Sequence, residues 1–425
     1  METILLIVFA IGYTAIILEH KINVNKAASA LCTGIVAWSV LAILNATGTE
    51  RMLSDLERHL SDICSILIFL IGAMTIVQII DMHGGFRIVT DRIRTTEKRK
   101  LLWIVSLLTF FLSAVLDNLT TTIVMVSLTA KLIANRNDRL IFAAMIIIAA
   151  NAGGAWTPIG DVTTTMLWVS GNISAGAIIT SLFLPSLTCI LVPLIAFSFM
   201  SKGNVEPPVI QSRDEEHALP DKLSRSILIV GVGALIAVPI FKTITHLPPY
   251  MGVTLGLGLI WIYTELIYRK YSRNLHAKYS VTTAISRIDM GTIAFFMGIL
   301  LAVAALQTSG ILSNVALWLN EAIGNQSIIV LVIGFISAIV DNVPLVAAAQ
   351  GMYDFPINDY FWLFLSYAAG TGGSVLVIGS AAGVAAMGME KIDFIWYLKR
   401  ISVWVILGYL IGALVFIGNH YLLFG

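Results

Sequence analysis

Three aspartates stand in apolar surroundings: Asp117, followed by Asn118, Thr120 and Thr121; Asp161, closing the run from Asn151 through Gly160; and Asp341, followed by Asn342. An ionisable group at membrane depth is costly and by default marks a pathway or a site. None of these stretches contains Lys, Arg or His, so the sequence offers no built-in counter-ion. Carboxylates without a cationic partner call for a metal cation or protons. Neutral oxygen donors surround them: Asn118, Thr120, Thr121, Asn151, Thr157, Thr163, Thr164, Asn342, Ser374 and Ser380. Hard cations prefer oxygen ligands, and the set holds no thiolate or imidazole. For the hydroxyls the competing role is a bond to the backbone of their own helix.

What must position these groups is a membrane. Of 425 residues, 58% are hydrophobic and 12% charged, against about 25% charged in an ordinary soluble domain, and mean hydropathy is +0.89. At roughly 20 apolar residues per span the chain has room for about ten. Full-length apolar runs lie near 3–19, 27–46, 63–82, 177–200, 226–245, 250–268, 289–308 and 394–418. The first lacks a basic leader and a cleavage site, so it is expected to remain as a span. Cys32, Cys64 and Cys189 are isolated and read as packing residues.

Four stretches break the pattern. Residues 101–134 and 326–352 are too long for one span and too short for two, with Asp117 and Asp341 near their middles. Non-helical backbone at membrane depth needs protein or a water-filled cavity to satisfy it, so each is expected to be a re-entrant hairpin. Residues 139–169 and 359–389 read as spans unwound in the middle, the first by Gly153, Gly154, Pro158 and Gly160, the second by Gly372, Gly373 and Gly379.

These irregularities are copies. Ser113-x-x-x-Asp117-Asn118 recurs as Ser337-x-x-x-Asp341-Asn342, Gly153-Gly154 with Gly160 recurs as Gly372-Gly373 with Gly379, and Phe69-x-x-Gly72 recurs as Phe295-x-x-Gly298, all at nearly one displacement. The expected fold is an all-α membrane protein of about ten transmembrane helices in two inverted five-helix repeats, each with a re-entrant hairpin and a broken helix. Residues 1–200 form the first repeat, 201–225 a cytoplasmic linker and 226–425 the second repeat. Such transporters bind their cargo at the midplane. With both termini outside, every Lys and Arg except Arg51, Arg58 and Lys242 falls in a cytoplasmic segment. The linker carries Pro207, Pro208 and the acidic run Asp214-Glu215-Glu216, and 50–62 and 83–98 alternate charged with apolar residues, the pattern of interfacial helices or of ordinary polar loops.

Other polar residues carry weaker claims. Asp81 and His83 sit at a cytoplasmic span end, where water would solvate them; a pH-sensing role for His83 is the alternative. Glu19 and Glu265 are expected to snorkel or pair locally, Trp156 to pack at the break and Trp168 at the interface. No nucleotide loop, paired metal histidines or nucleophile motif points to an enzyme.

At Ser113 to Thr122, at Asn151 to Thr165 (NAGGAWTPIGDVTTT) and at Ser337 to Asn342 the chain resembles the NhaD-type sodium/proton antiporters of the ion transporter superfamily. The likeness runs essentially the whole length. It implies homodimers, a scaffold made of the early spans of each half, and a moving domain of hairpins and broken spans. It also implies ion-site roles for Asp117, Asn118, Asn151, Asp161, Thr163, Thr164, Asp341 and Asn342. The halves are not equivalent, since Asp161 aligns with Ser380. The reading is a secondary transporter in a bacterial inner membrane, exchanging Na⁺ or Li⁺, bound at Asp117, Asp161 and Asp341, for protons and so serving pH homeostasis. It needs no cofactor, and its partners are the lipid bilayer and a second copy, not nucleic acid. An arsenite or organic-anion carrier of the same fold and a passive channel are the rivals.

Overall fold

The computed structural model describes every residue except 45–48, 91–92, 94, 207–219, 269–278, 340 and 425. The described residues form helices and no strand: α1 (Glu2–Ile17), α2 (Glu19–Ile22), α3 (Lys26–Leu44), α4 (Thr49–Met82), α5 (Gly85–Thr90), α6 (Lys98–Leu116), α7 (Asn118–Leu132), α8 (Arg136–Gly154), α9 (Val162–Val169), α10 (Ala175–Met200) and α11 (Asp221–Thr245). The chain continues with α12 (Pro249–Tyr268), α13 (Val281–Arg287), α14 (Met290–Thr308), α15 (Ile311–Ile323), α16 (Gln326–Ser337), α17 (Asn342–Met352), α18 (Tyr360–Gly372), α19 (Ala381–Glu390), α20 (Phe394–Arg400) and α21 (Ser402–Phe424). Among them 8 helices are long and apolar enough to cross a membrane, or 9 if α15 and α16, bent by 117°, are one span. The chain is therefore an all-helical, multi-pass membrane protein.

Apolar helices attract one another only weakly in lipid, so small residues that admit close approach decide who packs with whom. Helices α3 and α14 run side by side: Gly34 faces the Gly298 carbonyl too closely for a Cβ, and Trp38 Nε1 donates to the Leu301 carbonyl at 2.9 Å. With α1, α4, α11 and α12 they make one packed group. A second group gathers α6 to α10 and α16 to α21, in which α10 lies along α21. At its centre, all of Phe142–Gly154 in α8 and Phe361–Gly372 in α18 are buried. A helix apolar on every side belongs in such an interior. The groups meet where α14 packs on α17 and α4 on α9.

Several boundaries differ from the sequence expectation. The 50–62 stretch is continuous with 63–82 in one 34-residue helix, because its heptad-like apolar positions continue the buried face. The run 394–418 is two helices, since Lys399 and Arg400 end α20 and the chain turns at Ile401 before α21. The segment 309–325 forms α15 between Gly310 and Gly324, both left-handed. Among the described residues of 83–98, Gly85–Thr90 forms the short helix α5 and Lys98 starts α6. The prolines and acidic run of the linker lie outside the described residues.

Candidate functional site

Each broken stretch brings a helix end and a helix start face to face. Helix α8 stops at Gly154 and α9 starts at Val162. A Cβ on Gly153 would strike the Phe110 carbonyl, and one on Gly154 the Gly160 carbonyl, so the connection folds tightly against α6. Thr157 Oγ1 donates to the Ala114 carbonyl at 2.6 Å, and Thr165 Oγ1 to that of Pro158 at 3.0 Å. Asp161 caps α9: its Oδ1 accepts from Thr163 N at 2.9 Å and Thr163 Oγ1 at 3.0 Å, while its carbonyl accepts from Thr164 Oγ1 at 2.8 Å. Such caps satisfy backbone donors that the helix leaves free.

The other break has matching contacts. A Cβ on Gly372 would strike the Gly334 carbonyl, and one on Gly373 approaches that of Gly379. Ser380 caps α19 by accepting from Gly383 N at 3.1 Å, in the extended conformation of Asp161 (φ −149 and −145). Ser113 Oγ donates to the Ala150 carbonyl at 2.6 Å and Ser337 Oγ to that of Ala369 at 3.1 Å, each tying a helix to the broken span beside it.

Helices α6 and α7 are separated by Asp117 alone, whose φ of +94 is unusual for a residue with a side chain. Its carboxylate holds the turn, accepting from Thr120 N and Thr120 Oγ1, both at 2.8 Å. Thr121 on the same turn is buried, and its hydroxyl has no protein partner. Asp341 caps α17, accepting from Val343 N at 3.4 Å.

These turns converge on Asp161. Asn118 Nδ2 donates to Asp161 Oδ2 at 2.7 Å and to Asn151 Oδ1 at 3.0 Å. Asn342 Nδ2 reaches the same Asp161 oxygen at 3.5 Å. Asn151 Nδ2 donates to Ser374 Oγ and Ser380 Oγ, both at 2.8 Å. The starts of α7, α9, α17 and α19 therefore share one buried polar network that joins both halves of the sequence. Helix starts favour negative charge and helix ends positive charge, so their meeting in the buried interior suits a carboxylate and a cation together. Among the described residues no three His, Cys, Asp or Glu side chains lie close enough to hold a metal by themselves. A cation here would rely on Asp161 with neutral oxygens, and the Asn118, Asn151 and Asn342 amides can each turn a carbonyl oxygen to it.

A polar cavity of about 440 Å³ lies between the two packed groups. Arg58, His59 and Asp62 of α4, Gln307 of α14, and Gln350 and Asp354 line it, together with Met166 of α9 and Ala347 of α17. These two residues stand one turn or slightly more beyond the starts of their helices, roughly 6–8 Å at 1.5 Å per residue.

The family model described as Citrate transporter matches residues 4–363. "Sodium/proton antiporter 2" of Arabidopsis thaliana is 46% identical over 97% of the chain and 99% of its own length, and "Sodium/proton antiporter 1" is 48% identical over 98% and 72%. "Na(+)/H(+) antiporter NhaD" of Vibrio cholerae is 30% identical over 96% of the chain and 89% of its own length. The chain belongs to the NhaD-type antiporter family. NhaD-type proteins are transporters and not enzymes.

Within this NhaD-type chain three features depart from the sequence reading. A counter-ion is present after all: Lys26 Nζ lies 3.6 Å from Asp341 Oδ2. The sequence hid it because Lys26 belongs to a segment counted with the cytoplasmic charges. His83 is 1% exposed and so not a solvated helix end; its Nδ1 meets the Ile79 carbonyl at 2.6 Å and its Nε2 the Tyr268 hydroxyl. Burial pushes its pKa below the ordinary value, partly offset by the Ile79 bond. Trp156 does pack at the break, stacked on Phe110 at 5.8 Å. Trp168 is buried rather than interfacial, with Lys242 Nζ on its carbonyl at 2.8 Å. Glu19 bonds locally, its Oε1 accepting from Lys26 N at 3.2 Å.

Proposed function

We propose that this chain exchanges Na⁺ or Li⁺ for protons across a membrane by alternating access. The observation that carries the reading is the Asp161 network: one buried carboxylate, three carboxamides and a ring of hydroxyls where four helices begin. A desolvated cation takes oxygen ligands there when the amides turn. A proton on the carboxylate removes the charge that holds the cation, so binding of one excludes the other. Asp117 and Asp341 flank the network and add negative potential. The sequence relatives that bear the name sodium/proton antiporter favour the same exchange. A citrate substrate, suggested by the family description, would bring further carboxylates towards Asp161, which counts against it.

The paired contacts of Gly153 with Phe110 and Gly372 with Gly334, and of Ser113 with Ala150 and Ser337 with Ala369, support two repeats built on one plan. We read them as inverted, with 1–200 and 226–425 as the repeats. The pairs α6–α7 and α16–α17 are read as re-entrant hairpins. The group containing α3, α4, α12 and α14 would be the scaffold, and the group containing the breaks the moving body. The charge count supports a cytoplasmic Lys- and Arg-rich face with both termini opposite. The bacterial relatives favour an inner membrane; the Arabidopsis relatives carry no such implication. A homodimer completes the reading.

Everted vesicles holding a preset pH gradient provide the test. Addition of Na⁺ or Li⁺ should dequench an acid-sensing dye, and arsenite or citrate should not. The absence of a Na⁺ or Li⁺ response from about pH 6 to pH 9 would end the antiporter reading.

A further inference from the structure

Lys26 begins α3, and its placement is fixed from several directions. The Glu19 carboxylate accepts from its backbone N–H at 3.2 Å, and Asn25 caps the same turn through Ala27 N at 2.8 Å. Its ammonium lies 4.5 Å from the centre of the Phe295 ring and 3.6 Å from Asp341 Oδ2. Phe295 belongs to α14, so Lys26 is held by the α3–α14 pair. Asp341 belongs to the turn between α16 and α17 and adjoins Asn342, which reaches Asp161. Both side chains are largely shielded, 30% and 21% exposed. An ion pair so shielded is screened little by salt.

We propose that Lys26 is a tethered internal competitor of the transported cation: its ammonium occupies Asp341 in the empty site and must give way, wholly or in part, when a cation binds. This competition rests on the cation-exchange reading above. A carboxylate attracts ammonium and Na⁺ through the same charge, and each cation weakens the attraction for the other. The pair also bridges the two packed groups, so displacing the ammonium frees the α16–α17 turn from α3. A merely structural ion pair would stabilise the fold without competing with the cargo. A competitor lowers cargo affinity while it is present.

The experiment is Na⁺ calorimetry on purified full-length protein at fixed pH, comparing wild type, Lys26→Gln, Lys26→Arg, Asp341→Asn and the double variant K26Q/D341N. The same variants are melted in Na⁺-free choline buffer. The proposal expects K26Q to lower the Na⁺ dissociation constant about three- to tenfold, K26R to stay near wild type, and K26Q to change nothing in the D341N background. An unchanged or weaker affinity in K26Q, or an equal shift in both backgrounds, would overturn it. If wild type binds neither Na⁺ nor Li⁺, the cation-exchange reading fails, and competition for that cargo fails with it. The choline melts then judge the pair by itself: non-additive losses keep the Lys26–Asp341 coupling, and additive losses remove it too.

Discussion

Asn118 Nδ2 lies 2.7 Å from Asp161 Oδ2, joining the turn after α6 to the break before α9. Two helices that must hold one cargo are thus connected through the group proposed to bind it. Asp161→Asn keeps a side chain that caps a helix nearly as well, so folded protein should persist. It loses the charge and one charge-assisted hydrogen bond, about 1.5–3 kcal/mol. Na⁺ affinity should fall roughly tenfold to a hundredfold and exchange should drop to background, while Glu321→Gln, at an exposed position, retains activity. Near-normal exchange by purified Asp161→Asn in proteoliposomes would remove Asp161 from the site.

Close backbone contact at the breaks predicts a stability pattern. A Cβ at Gly153 or Gly372 meets a backbone carbonyl that cannot swing aside. Overpacking of this kind costs typically 1–3 kcal/mol. Gly153→Ala and Gly372→Ala should each lower the melting temperature of detergent-solubilised protein, and by similar amounts. Gly388→Ala, with open space around it, should not. A fall for one glycine alone would show that the two breaks are not built alike.

Much of this site could be read from residue types alone. Gly, Pro and Asp in apolar runs are costly at membrane depth, so the breaks at Gly153–Asp161 and Gly372–Ser380 announced themselves, as did the shared asparagines. The Lys26–Asp341 pair did not, because nothing local to either residue encodes a contact made across the whole chain. The convergence of Asn118, Asn151 and Asn342 on one aspartate likewise depends on tertiary packing. Helix α15 lies between full-length apolar runs, with Gly310 and Gly324 marking its ends. The turn at Ile401 was hidden by unbroken hydropathy, with only Lys399 and Arg400 to mark it.

His83 sets a pH dependence of stability away from the transport site. Its folded pKa is depressed by burial, so the unfolded chain binds the proton more readily. The linked stability is present above the ordinary value near 6.5 and is lost as pH falls through the depressed folded value. His83→Gln should melt lower at pH 8 yet lose less on acidification to pH 5. Melting curves across that range decide it, and parallel curves for the two proteins would contradict the linkage.

Side-specific labelling tests the arrangement of the halves. In a background with Cys32, Cys64 and Cys189 replaced by Ser, single cysteines at the exposed positions Lys202 and Glu321 should react from opposite sides of the membrane. Lys202→Cys is expected to label from the cytoplasm. Labelling of both from one side would break the inverted arrangement.

The central claim is that Na⁺ and the proton share the Asp161 network. Where a proton must leave before Na⁺ binds, apparent affinity weakens up to tenfold per pH unit per proton, about 1.4 kcal/mol at 25 °C. Interacting carboxylates will show this as macroscopic steps. The most direct measurement is the Na⁺ dissociation constant of the purified protein, read by calorimetry from about pH 9 to pH 6. The account predicts a constant that rises as pH falls and a proton released for each competing step. A constant independent of pH across that range would show that the two ions bind apart.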